Sequence, residues 1–169
     1  MTNSVNSGSS LVRNNNNMFN RQPITREKAL SKLAALCAKA EYCTGDMEDK
    51  MRRWGLDKEA IQENITYLVS HQYIDNARYC QAFVNDKIEY NHWGRRKIEQ
   101  ALWAKRIPED VSAPILDAVP QERYVEILKP MLRAKLPTIK AESDYERQMK
   151  LIKFALGRGF SMEEIQQCI

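Results

Sequence analysis

Three stretches of the chain repeat one another without gaps, and this repetition limits the possible folds more than any other feature. Gly55-Leu56-Asp57 is followed by Ile61 and Ile65, Arg106-Ile107-Pro108 by Val111 and Ile115, and Gly159-Phe160-Ser161 by Ile165 and Ile169. The apolar anchors Leu56, Ile107 and Phe160 stand 51 and 53 residues apart. Nine positions before each anchor lies another apolar residue, Met47, Ile98 or Leu151, so a helix leads into each turn and a second leaves it. The second helix of each pair has its own start signal. Asp57 can cap, Pro108 suits a first helical turn, and Ser161 with Glu164 makes a capping box, while Gly55 closes the helix before it.

A further helix precedes each pair. Leu30, Leu33, Ala34, Cys37 and Ala40 recur at steps of three and four, which predicts a helix over Arg26 to Lys39, and comparable segments run from Asp75 to Tyr90 and from Gln121 to Leu136. Pro130 lies inside the last of these, where its missing N–H must kink or divide the helix. No run combines strand alternation with hairpin turn residues. The expected fold is all-α: three tandem three-helix, helix-turn-helix-like repeats at residues 25–72, 73–119 and 120–169, forming an elongated, curved array. An Asn- and Ser-rich stretch at residues 1–24 reads as a flexible tail, in which Arg13 and Arg21 are available to an acidic partner. Such an array offers long surfaces and few deep pockets, which favours a macromolecular partner over a small substrate.

With 43% hydrophobic residues the chain has enough apolar content for a core, yet no run approaches a membrane span and Met1 to Asn20 lacks the apolar segment of a signal peptide. A cytoplasmic protein is expected. The four cysteines, Cys37, Cys43, Cys80 and Cys168, form no CxxC pair, and His71 and His92 have no ligand spacing to them, so reduced thiols and no metal site are expected. Nucleophile-elbow, P-loop, zincin and dinucleotide motifs are missing from the sequence. Acid pairs such as Glu109-Asp110 and Glu163-Glu164 fall in first helical turns, where the helix dipole favours carboxylates. We therefore expect neither catalytic residues nor a cofactor.

The formal charge is only +4, but it is unevenly placed. Between His92 and Arg106 stand Arg95, Arg96, Lys97, Lys105 and Arg106 against Glu99 alone; from Ile107 to Glu126 Arg123 faces five acids. On the basic helix Ile98 and Leu102 form the core stripe, while Arg96, Gln100 and Trp103 share another face. Trp103 is then either exposed beside positive charge or buried between repeats. Arg52 and Arg53 sit on the equivalent helix of the first repeat, and Arg147, Lys150 and Lys153 on that of the third. In Tyr73-Ile74-Asp75-Asn76-Ala77-Arg78-Tyr79, Asp75 caps the next helix, and Arg78 and Tyr79 serve either its packing or a partner.

These residues also carry a resemblance. Tyr73 to Tyr79, followed by Phe83-Val84, resembles the G-Y-[IL]-D-D-x-[RA]-[FY]-A-x-x-[FY]-[VI] segment of the RecX family. Trp93-Gly94 with Lys97-Ile98 and Leu102 resembles its G-x-x-[RK]-[IL]-x-x-x-L helix, and Arg158-Gly159-Phe160-Ser161 with Ile165 its closing R-G-[FY] element. The likeness spans Arg26 to Ile169. Gln72 stands where Gly commonly precedes the Tyr, Arg106 where Gly commonly ends the second helix, and Cys43 where Ser often caps, with Thr44 offering a cap one residue on. The resemblance implies a non-enzymatic modulator of the RecA recombinase, typically inhibitory, lodged in the groove of the RecA filament on single-stranded DNA; separately from it, a monomer with duplex DNA as a further partner is our own expectation. It does not single out contact residues. The basic and aromatic set above is our own candidate surface, and an independent helical DNA-binding protein is the competing reading.

Overall fold

The computed structural model describes residues 24–169; the expected tail, with Arg13 and Arg21, lies outside the described residues but for Ile24. The described residues are all-helical and fall into three groups of three: α1 (Arg26–Cys37), α2 (Thr44–Arg53) and α3 (Lys58–Ser70); α4 (Asn76–Glu89), α5 (Arg95–Ala104) and α6 (Glu109–Asp117); α7 (Gln121–Lys135), α8 (Asp144–Gly157) and α9 (Met162–Gln166). A 3-10 turn, Leu136–Thr138, follows α7.

Caps and apolar spacing explain the elements. Thr25, Asp57, Asp75 and Ser143 each accept a backbone N–H at their helix start, and Ser161 with Glu164 closes both bonds of the capping box. Leu33 from α1, Met47 and Met51 from α2, and Ile61, Ile65 and Leu68 from α3 bury one face of each helix in the first core. A second core is shared by the other two repeats, with Val84, Ile98, Leu128, Leu151 and Phe160 all buried, and takes Cys43 from the first repeat. The first repeat is thus packed on itself, whereas the second and third are packed as one body.

The register of the repetition is finer than the anchors imply. Leu33, Met47 and Leu56 map onto Val84, Ile98 and Ile107 with a constant offset of 51. From the second repeat to the third, Val84 and Ile88 map onto Leu128 and Leu132 at 44, but Ile98 and Ile107 onto Leu151 and Phe160 at 53. The nine extra residues fall within the stretch that holds the 3-10 turn, the loop after it and the first turn of α8.

Repeats meet through glycine. The Gly94 N–H donates to the Arg158 carbonyl at 2.8 Å and the Arg96 N–H to that of Gly159 at 3.1 Å. A Cβ at Gly94 would overlap the Gly159 backbone, and one at Gly45 would overlap the Lys105 carbonyl, so in both junctions a second helix begins against the turn of the next repeat.

Several expectations are corrected at this level. Thr44 does not cap α2: the N-cap is Cys43, without a capping side chain, and the Thr44 N–H is taken by the Asn76 Oδ1 of the next repeat at 3.0 Å. Pro108 is itself the N-cap of α6, which begins at Glu109. Pro130 does not divide α7, which runs unbroken through it. Glu126 and Pro130 are both exposed, so the carbonyl that loses its helical N–H lies on the solvent side of α7. Among the described residues no helix is long and apolar enough to cross a membrane, and no group of metal-ligating side chains converges. All four cysteines are free thiols, and burial pushes that of Cys43 up to about 11.

Candidate partner-binding surface

The candidate surface is built on the second helix of each repeat, because the apolar stripe of that helix turns inward and leaves its basic residues outside. On α5, Ile98 and Leu102 are buried, and Arg96, Gln100 and Trp103 lie exposed on the opposite side. Of the two readings for Trp103 the structure takes the first, with the indole 80% exposed. A cleft of about 270 Å3 opens beside it between α5 and α6, lined by Glu99, Trp103, Ile107 and Ser112 among others. The same cleft recurs between α2 and α3, where Glu48, Arg52, Leu56 and Ile61 hold the corresponding positions 51 residues earlier. Arg52 and Trp103 are therefore structural equivalents.

The charges that look segregated along the sequence meet in space. Arg95 binds Glu99 at 2.7 Å and reaches across to Asp117 on α6 at 2.5 Å. Lys105 binds Asp46 at 2.8 Å and lies 5.8 Å from the Tyr79 ring centre. Burial works against the Lys105 ammonium, yet the Asp46 carboxylate and the Tyr79 hydroxyl carry its pKa above the ordinary value. Arg106 donates to the Gly45 carbonyl at 2.8 Å and to Asp49 at 2.9 Å, with Glu48 at 3.5 Å. Its guanidinium holds the Asp49 carboxyl below the usual range. Arg78 binds Glu41 at 2.6 Å, and Tyr79 is a core residue, 8% exposed. Lys105, Arg106 and Arg78 thus tie the second repeat to the first, and the Tyr79 ring is not displayed to a partner.

Arg52 pairs with Asp49, Arg147 with Asp144 and Lys150 with Glu146, each within its own helix. Lys97 lies 4.8 Å from the Trp93 ring centre, which Lys87 also approaches at 5.0 Å. Neither Lys87 nor Trp93 stands out in the sequence as a surface residue: Trp93 lies six positions after Lys87 and four before Lys97, in the connection between α4 and α5, where no single helical register brings the three together. Of the candidate cations, Arg53, Arg96 and Lys153 are exposed and make no ion pair among the described residues. The uncommitted part of the surface thus reduces to these three and Trp103.

Comparison with known proteins follows the same three-part division. The family model described as the second three-helix domain of RecX matches residues 75–113, and the model of its third three-helix domain matches residues 121–169. The chain is 28% identical over 134 residues to the regulatory protein RecX of Vibrio parahaemolyticus, covering 79% of this chain and 84% of that one. It is 30% identical over 125 residues to the regulatory protein RecX of Clostridium botulinum strain Alaska E43, covering 73% of this chain but 58% of the longer relative. The crystal structure of RecX from Lactobacillus salivarius superposes with a TM-score of 0.75 at 20% identity, over 85% of this chain and 93% of that chain. A second crystal structure of a regulatory protein RecX superposes with a TM-score of 0.79, also at 20% identity, over 85% of this chain and 72% of that one. The repeats, the two domain models and the relatives agree, and the chain belongs to the RecX family.

Proposed function

We propose that this chain is a non-enzymatic, cytoplasmic regulator that binds the RecA filament on single-stranded DNA and inhibits its ATP hydrolysis and strand exchange in recombination and repair. Family membership supports the partner, and one observation supports the mode: a tandem array in which the 80% exposed indole of Trp103 shares α5 with Arg96, and Arg53 is exposed on α2, neither guanidinium making an ion pair among the described residues. A surface of this kind suits docking across successive subunits of a repetitive filament. Trp103 can stack on a base or anchor a protein contact, and Arg96 can pair with phosphate or carboxylate. Bound along the groove as a monomer, the array would obstruct the incoming strand.

The test is RecA-dependent ATP hydrolysis on single-stranded DNA during titration with this protein, with binding to bare DNA followed in the same buffer. Suppression at concentrations too low to coat naked DNA is the expected result. Unchanged hydrolysis with only salt-sensitive DNA binding left would favour an independent DNA-binding protein instead. The internal pairing of Arg78, Arg95, Lys105 and Arg106 weighs against that second reading, because it removes much of the positive charge that duplex binding needs.

A further inference from the structure

The array has two internal junctions, and the third repeat presents the same docking face with nothing described upon it. Where the second repeat receives the third, Gly94 meets the Arg158-Gly159-Phe160 turn and Glu89 pairs with Arg123 of α7 at 3.2 Å. The apolar residues of the second repeat on this side, Ile88, Ile98 and Leu116, are at most 1% exposed. Their counterparts in the third repeat, by the offsets of 44 and 53, are Leu132, Leu151 and Ile169. These line a cavity of about 420 Å3 between α7, α8 and the last residues, with Cys168 beside them, and Ile169 is 47% exposed.

The rim is rebuilt. Glu89 is replaced by Arg133, which is exposed and has no ion pair among the described residues, and Gly94 is replaced by Arg147, which pairs at 2.9 Å with Asp144 on the same lining, so that Arg133 is the unpaired cation of the rim. Two substitutions of this kind change which occupant the seat admits. A second copy docking head to tail would bring Lys28, the counterpart of Arg123, against Arg133, a like-charge contact. Its turn would also have to displace the Arg147 side chain where the internal junction needs glycine. The stretch outside the described residues, 1–23, contains no Asp or Glu and supplies no counter-charge.

We propose that this cavity is a docking seat for an acidic segment of a partner protein that inserts an apolar side chain between α7 and α8. The apolar floor continues the surface that already holds one repeat on another, and Arg133 inverts the charge preference of the internal junction, so that a partner's carboxylate takes the place that Arg123 occupies against Glu89. The proposal stands apart from the exposed face of α5 and does not depend on the RecA reading.

The probe is a short fluorescein-labelled peptide of Glu and Leu, followed by anisotropy against the full chain, with a Lys and Leu peptide as its charge-reversed control. The Glu peptide is expected to bind, Arg133→Glu to weaken it by about ten-fold and to favour the Lys peptide correspondingly. Bound peptide should slow alkylation of Cys168, read by mass spectrometry, and leave that of Cys37 unchanged. Arg133 is exposed, so the variant keeps its helical circular dichroism. No binding, binding indifferent to Arg133→Glu, or equal alkylation of Cys168 with and without peptide would overturn the proposal. So would protection of Cys168 by an oligothymidylate in preference to the peptide, or by self-association of the chain.

Discussion

Among the described residues, three other than glycine hold left-handed backbone: Gln72 at φ 60°, His92 at φ 52° and Arg106 at φ 59°. Two of them, Gln72 and Arg106, are the departures from the glycines common in the family, so the geometry is kept while the residue best suited to it is not. They differ in what the side chain does in return. Gln72 is exposed and its side chain makes no hydrogen bond among the described residues, so Gln72→Gly should raise the melting temperature, by about 0.5–1 kcal/mol of relieved strain less the added freedom of the unfolded chain. Arg106 ties the turn to Gly45 and Asp49, so Arg106→Gly should lower it in spite of the easier backbone. Thermal unfolding of both variants checks this opposition of sign. Gly94 allows no such choice, because a methyl group there meets the Gly159 backbone; Gly94→Ala should cost about 1–3 kcal/mol by the same measurement.

At the scale of elements, the two junctions are made of different material. The second and third repeats share a core, but the first is joined to the second mainly by Arg78–Glu41, Lys105–Asp46 and Arg106–Asp49, all at least partly exposed to solvent. Salt near 1 M, where screening acts within about 3 Å, should therefore speed hydrogen exchange at the α2 start while leaving α7 to α9 unchanged. Acid should act at the same place. Asp49 has its folded pKa depressed by Arg106, so its contribution is complete above the unfolded value of about 3.9 and is lost as pH falls through the lower folded value. Below about pH 4 the Asp49→Asn variant should therefore show a flatter decline in melting temperature than the parent chain. The helices themselves were legible from sequence because apolar spacing and caps are local. Arg106 reads in sequence as a surface cation because the carboxylates that engage it lie 57 and 58 positions away, and no local pattern records such a meeting.

Over the whole molecule, the repeat count, the all-helical class and the core stripe of α5 could be read from residue types alone, since periodicity fixes which side of a helix turns inward, whereas the exposure of Trp103 was settled only by how the repeats pack. The structure divides the candidate cations for a physical reason: composition counts cations, whereas a folded chain also pairs them with its own acids. Arg95 with Arg96 is a case in point, one bound to Glu99 and Asp117 and the other without an ion pair among the described residues. Under the proposed function, Arg96→Ala with Trp103→Ala should weaken binding to RecA-coated DNA by about ten-fold or more while leaving the melting temperature within about 0.5 kcal/mol of stability. Arg95→Ala should instead loosen α5 from α6 and show first in unfolding. Filament binding and thermal melts on the two variants separate these outcomes.

The three indoles of the chain divide in the same way. Trp54 and Trp93 are partly sheltered, and lysine ammonium groups lie over both rings, whereas Trp103 stands in water. Its emission is therefore the red edge of the intrinsic fluorescence, the fraction that a small soluble quencher reaches first. Whatever covers Trp103 changes that light and shields it from the quencher, so the molecule carries an unlabelled optical reporter on the face proposed for the partner.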